Sequence, residues 1–149
     1  MNAATLQDAL AQKADRMQRC IARAREELRL AGAHFASDFT RQDAAILNVQ
    51  RACELAIDMA NMFIAHHQWG LPRSAREAFA LLGEHQLLQG EQVQALQHMV
   101  GFRNIAVHQY DALDMDIAAA VIAHRLDALT QLAAVLLRRS LDSSAPESP

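Results

Sequence analysis

Arg103, His108 and Tyr110 are the residues of this chain whose types and spacing could do chemistry, and all three fall in the run GFRNIAVHQY, residues 101–110. Arginine offers a planar, permanently charged fork of donors that suits a phosphate. Histidine gives and takes a proton near neutral pH. The pair suits phosphodiester cleavage without a metal. The histidine would take the proton of a ribose 2′-hydroxyl, which attacks its own 3′-phosphate. The arginine would stabilise the charge that builds on the phosphorane. The plainer alternative is a helix-end histidine bonded to a carboxylate. Residues five apart on a regular helix point about 140° apart. Arg103 and His108 therefore converge best if their helix loosens or ends near Val107 or His108, and Asp111 begins a turn toward Asp114 that allows such an ending.

A second set of candidates is acidic. Glu54 and Asp58 are four residues apart and share one face of a helix. They form either a solvated acidic face or an acidic shelf that hydrogen-bonds Arg103 or His108 from a neighbouring helix. Metal ligation finds no pattern here. The chain has no His-Glu-x-x-His and no Glu-x-x-His. His66 and His67 are adjacent, so on a helix they point about 100° apart and cannot jointly chelate one ion. No glycine-rich phosphate loop is present, and no cofactor is expected.

Helices must position these groups. Ala, Leu, Gln, Arg and Glu abound, against 5 Gly and 3 Pro, which argues for an all-α fold. Leu6, Leu10, Met17, Ile21, Ala24 and Leu28 recur at helical spacing, predicting a first helix over about Thr5–Leu30 with Gly32 as its stop. A second helix is predicted over about Thr40–Gln68, with Thr40 and Asp43 as a capping box and Trp69-Gly70-Leu71-Pro72 as its end. Ser74 and Glu77 announce a short third helix that stops near Gly83. A fourth starts at about Glu91 and runs into residues 101–110. A fifth is capped by Asp114 or Asp116 and ends near Arg139. Short connections favour an antiparallel four-helix bundle with an additional short helix, as one domain over 1–139, followed by a disordered polar tail over 140–149.

With 149 residues, 52% of them apolar, the chain can bury a real core. The net charge of −3 gives no global basic footprint, which leaves room only for a local basic pocket if nucleic acid is bound. Cys20 and Cys53 read as buried free thiols of a reducing compartment. The absence of a signal-like N-terminus, and of an apolar run long enough to span a bilayer, predicts a cytoplasmic protein without membrane contact.

From about Asp43 to Leu137 the chain resembles the HEPN superfamily, and within it the HepT-like toxins. The resemblance rests on Arg103, Asn104, three further residues, His108 and Tyr110, which spell Arg-x4-His-x-Tyr. Its flanks agree: Glu54 in the second helix, the Gly70-Leu71-Pro72 turn, Glu77, Ala78, Phe79 and Leu82, then Met99-Val100-Gly101-Phe102 before Arg103. The resemblance implies a metal-independent endoribonuclease toxin acting as a homodimer, with Arg103 and His108 catalytic and Asn104 supporting them. It implies a nucleotidyltransferase antitoxin that transfers AMP from ATP to Tyr110 and silences the nuclease, and a further assembly of toxin with antitoxin. It turns Glu54, with Asp58 behind it, toward orienting Arg103 or His108. Transfer RNA is the substrate it suggests. The alternative function is a non-catalytic HEPN module that docks a nucleotidyltransferase or holds its substrate.

Overall fold

The first helix begins where the Asn2 side chain accepts the backbone N–H of Thr5 at 2.8 Å. In the computed structural model, which describes residues 1–143, that helix is α1, Ala3–Ala31. It buries Leu6, Leu10, Met17, Ile21 and Ala24, the stripe that the periodicity picks out. Next comes α2, Phe39–His66. Its cap is Asp38, whose carboxylate accepts the Arg41 N–H at 3.1 Å. The expected Thr40–Asp43 box is displaced, because the chain is already helical at Phe39 and Asp43 faces another helix.

Ser74 caps α3, Ala75–Glu84, by accepting the Glu77 N–H at 3.1 Å, as its sequence predicts. Gln89 and Gln92 form a reciprocal capping box at the start of α4, Gly90–His108. Asp114 caps α5, Met115–His124, through the N–H groups of Asp116 and Ile117. A final helix, α6, covers Asp127–Ser143.

The single fifth helix of the sequence reading is thus two helices, broken at Arg125–Leu126. Neither Gly nor Pro marks the break. Leu126 is fully buried there, and Arg25 of α1 holds Asp127 at 2.9 Å just after it. By length and composition Met115–Asp142 could cross a membrane, against expectation. In the fold it lays Leu126, Leu129, Leu132 and Leu136 into the core. Helix α6 also continues past residue 140, the expected start of the tail. Ser140 is fully buried and donates to the Leu137 carbonyl at 2.7 Å, and residues 144–149 lie outside the described residues.

The long helices form an antiparallel bundle. Glu27 and Lys13 of α1 meet Arg41 and Asp58 of α2 respectively, so sequence rises on one helix as it falls on the other. The same reversal relates α2 to α4, where Cys53 lies against Met99 and Asp43 against Tyr110. The last two helices close the bundle against α1, and α3 packs between α2 and α4.

Two contacts fix α3 on its neighbours. Trp69 stacks on His85, with ring centroids 3.7 Å apart and planes 3° from parallel, and also meets His67 at 4.8 Å. Gly83 provides the second: a Cβ there would lie 2.8 Å from Val93 Cγ2 of α4. Valine is stiff at χ1 and cannot swing away. Gly83→Ala gains up to about 1 kcal/mol of helix propensity but costs about 1–3 kcal/mol in overpacking. The expected net result is a fall in Tm, at about 2–4 °C per kcal/mol. Adding Val93→Ala should remove the clash, so the double variant should be less sensitive to Gly83→Ala than the parent chain in a thermal-melt cycle.

Candidate active site

The run 101–110 straddles a helix end. Arg103, Asn104 and His108 belong to α4, whose last turn closes when the Gln109 N–H donates to the Ile105 carbonyl at 2.8 Å. Gln109 then leaves the helix at φ −141°, and Tyr110 begins a 3₁₀ turn over Tyr110–Ala112. Phe102 and Ala106 point into the core and anchor this stretch. The helix therefore ends where the chemistry required, but it stays regular through His108.

That regularity decides which residues meet. Residues 101, 104, 105 and 108 share one stripe of α4, and Gly101, Asn104, Ile105 and His108 line an open cleft of about 400 Å³ together with Gln109 and Arg76 of α3. Arg103 is not among them. It is half-buried on the side facing α2, where its charge partly offsets the burial that pushes the Cys53 thiol up to about 12. Its Nε is buried and has no hydrogen-bond partner among the described residues. Within one protomer, then, Arg103 and His108 do not converge on a common cavity.

Tyr110 is half-buried, and its hydroxyl donates to Asp43 Oδ1 across the α2–α4 boundary at 2.5 Å. Burial, and then the Asp43 carboxylate, push the phenol pKa well above its ordinary value. Asp43 is a site residue that the sequence reading assigned to a helix cap. The one signal available for it was its position on α2, four residues from Phe39 and from Leu47, on a face with two exposed apolar side chains.

The acidic pair lies elsewhere. Glu54 and Asp58 are exposed on α2 and line a small groove of about 220 Å³ with Lys13, Arg16, Cys20 and Arg51. Asp58 pairs with Lys13 at 3.7 Å, and Glu54 accepts from Gln50 at 3.4 Å. Neither carboxylate bonds Arg103 or His108 within the protomer, so the shelf is replaced by a solvated face between α1 and α2. Such an exposed pair contributes little to stability. Cys20 is half-buried there, while Cys53 is buried as expected, and both thiols are free. Among the described residues, no cluster of three or more His, Cys, Asp or Glu could hold a metal ion.

The chain as a whole has relatives among known proteins. The family described as ribonuclease HepT-like matches residues 17–136. The mRNA nuclease HepT of Shewanella oneidensis is 40% identical over 131 residues, which span 88% of this chain and 98% of that protein. Among solved structures, the tri-AMPylated Shewanella oneidensis HEPN toxin in complex with MNT antitoxin has a TM-score of 0.81 at 39% identity, covering 91% of this chain and 97% of that one. A toxin–antitoxin with AMP-PNP reaches a TM-score of 0.82 at 38% identity, covering 91% and 99%.

Proposed function

Because the chain belongs to the HepT-like ribonuclease family, we propose that it is the endoribonuclease toxin of a toxin–antitoxin pair, cleaving RNA by 2′-hydroxyl attack without a metal. The observation that carries this reading is His108, exposed at the mouth of an open cleft beside Asn104, at the end of the Arg-x4-His-x-Tyr run. One His108 takes the proton of the 2′-hydroxyl. The oxygen attacks the adjacent phosphorus and the 5′-oxygen leaves with a proton from an acid. A cyclic phosphate and a free 5′-hydroxyl result.

Each chain has one His108, so the acid comes from a second copy. A two-fold homodimer brings together two His108 and two Arg103 and concentrates positive charge on a chain of net charge −3. Two features support that assembly. The buried Arg103 Nε lacks an acceptor among the described residues of the protomer, and such groups normally find one. Exposed apolar side chains also flank the site: Phe39 is 72% exposed and Leu47 42% on α2, and Ile105 and Val107 stand out on α4. Messenger RNA is the substrate class favoured by the name of the Shewanella relative, in place of the transfer RNA that the sequence suggested.

The antitoxin is a nucleotidyltransferase, and its target is Tyr110. The phenol oxygen attacks the α-phosphorus of ATP, pyrophosphate leaves, and AMP is joined to Tyr110. The AMPylated relative held with its MNT antitoxin supports this step. The added phosphate is an anion beside the arginines of the site and blocks the RNA phosphate. The whole reading is tested by incubating the purified chain with RNA in the presence of EDTA, before and after exposure to antitoxin and ATP. Cleavage should persist with chelator, leave cyclic-phosphate ends, and stop once Tyr110 gains mass. Absence of cleavage by the unmodified protein with or without added divalent metal would turn the assignment to the docking module.

A further inference from the structure

The guanidinium that shares a cleft with His108 in one protomer belongs to Arg76, not Arg103. Arg76 lies in the first turn of α3 and is exposed. Three observations place it deliberately. Its carbonyl accepts from Gln97 Nε2 of α4 at 3.1 Å, which fixes the backbone above the cleft. Its Nη2 rests against Gly101, where a Cβ would stand only 3.0 Å away, so the missing side chain lets the guanidinium settle on α4. No carboxylate neutralises it: the nearby Glu77 carboxylate accepts the Arg73 backbone N–H at 3.3 Å, and no ion pair involves Arg76 among the described residues.

An arginine fork held over a concave site beside an amide and an imidazole is built to meet an anion of phosphate geometry. We propose that Arg76 is a second phosphate-binding residue of the cleft, holding a phosphodiester of the RNA backbone that neighbours the one being cut. The strand then runs from His108 past Asn104 and Gly101 toward the start of α3. Arg76 thereby supplies a local cation that the acidic chain needs for RNA. This inference rests on the nuclease reading for the identity of the ligand.

Its test separates binding from cleavage. An RNA that cannot be cut, with a 2′-O-methyl group at each ribose, is titrated onto the full-length protein at several salt concentrations, and cleavage of the unmodified RNA is followed in parallel. Arg76→Ala should raise Kd about tenfold, to a similar extent for all RNA sequences. It should also flatten the slope of log K against log salt by about 0.7, the loss of one single-strand phosphate contact. Arg76→Lys should restore the slope, since charge returns, but only part of the affinity, since the fork does not. Gly101→Ala, which keeps the charge and displaces the guanidinium, should weaken binding in the same direction. An unchanged Kd and slope in Arg76→Ala, with its melting curve intact, overturns the inference while leaving the nuclease reading in place. The converse outcome, wild-type binding that depends on Arg76 without any cleavage, upholds Arg76 as a contact to an RNA phosphate and removes the nuclease reading. RNA that fails to bind the wild type overturns both.

Discussion

His108→Ala should reduce RNA cleavage by about 10²–10⁴-fold, the range for loss of a general acid–base group, and should remove toxicity when the chain is expressed without its partner. His108 is exposed at the last position of α4, and among the described residues its side chain makes no hydrogen bond or ion pair that holds the bundle. The substitution should therefore leave folding within about 0.5 kcal/mol of the parent. The proposed homodimer should persist, because the exposed apolar side chains that flank the site, Phe39, Leu47, Ile105 and Val107, are left in place. A composite site makes a sharper demand. A mixed dimer of one parent chain and one His108→Ala chain keeps both Arg103 but only one His108, so it should lose nearly all activity rather than half, because base and acid come from different copies. The measurement is cleavage by the co-expressed, doubly tagged heterodimer. Full toxicity in the His108→Ala chain would remove His108 from catalysis, and a heterodimer with half the parent activity would argue against shared use of the two copies.

Much of this arrangement was legible in the residues, and the gaps have physical causes. Ser74 marked the α3 start, and Trp69-Gly70-Leu71-Pro72 the end of α2, because cap and turn chemistry are local. The motif run marked the end of α4 for a similar reason. What a single sequence does not encode is which stripe of one helix lies against which stripe of another. Glu54 and Asp58 share a face, but that face meets α1 and Lys13, whereas Cys53, one residue earlier, faces α4. A step of one residue turns a side chain by about 100°, so a shelf for Arg103 and a solvated pair differ by a rotation that periodicity leaves open. The break at Arg125–Leu126 carried no local signal, since it is set by burial of Leu126 and the Arg25–Asp127 pair. Arg76 had a faint one: Gly101, inside an otherwise good helix, signals a close approach by something else.

The same long-range logic governs Tyr110 and Asp43, which are 67 residues apart in sequence and 2.5 Å apart in space. Tyr110→Phe should abolish AMP transfer outright, because the acceptor oxygen is gone. Cleavage should survive, since the phenol takes no part in the attack on RNA, and antitoxin with ATP should no longer silence the enzyme. Intact-mass measurement after incubation with antitoxin and ATP reads the first effect, and an RNA cleavage assay reads the second. Asp43 sharpens the expectation. Burial and this carboxylate hold the phenol protonated well past its ordinary range, so at neutral pH no phenolate waits to attack ATP. The proton must leave as the oxygen–phosphorus bond forms, and Asp43 already accepts that hydrogen bond. Asp43→Asn keeps the shape but cannot take the proton, and should slow AMP transfer by about 10²–10⁴-fold while sparing RNA cleavage. Its rate should then rise steeply with pH as hydroxide replaces the missing base, where the parent is flatter. Transfer at the parent rate in Asp43→Asn would mean that the antitoxin supplies the base, and that Asp43 only parks the tyrosine until its partner arrives.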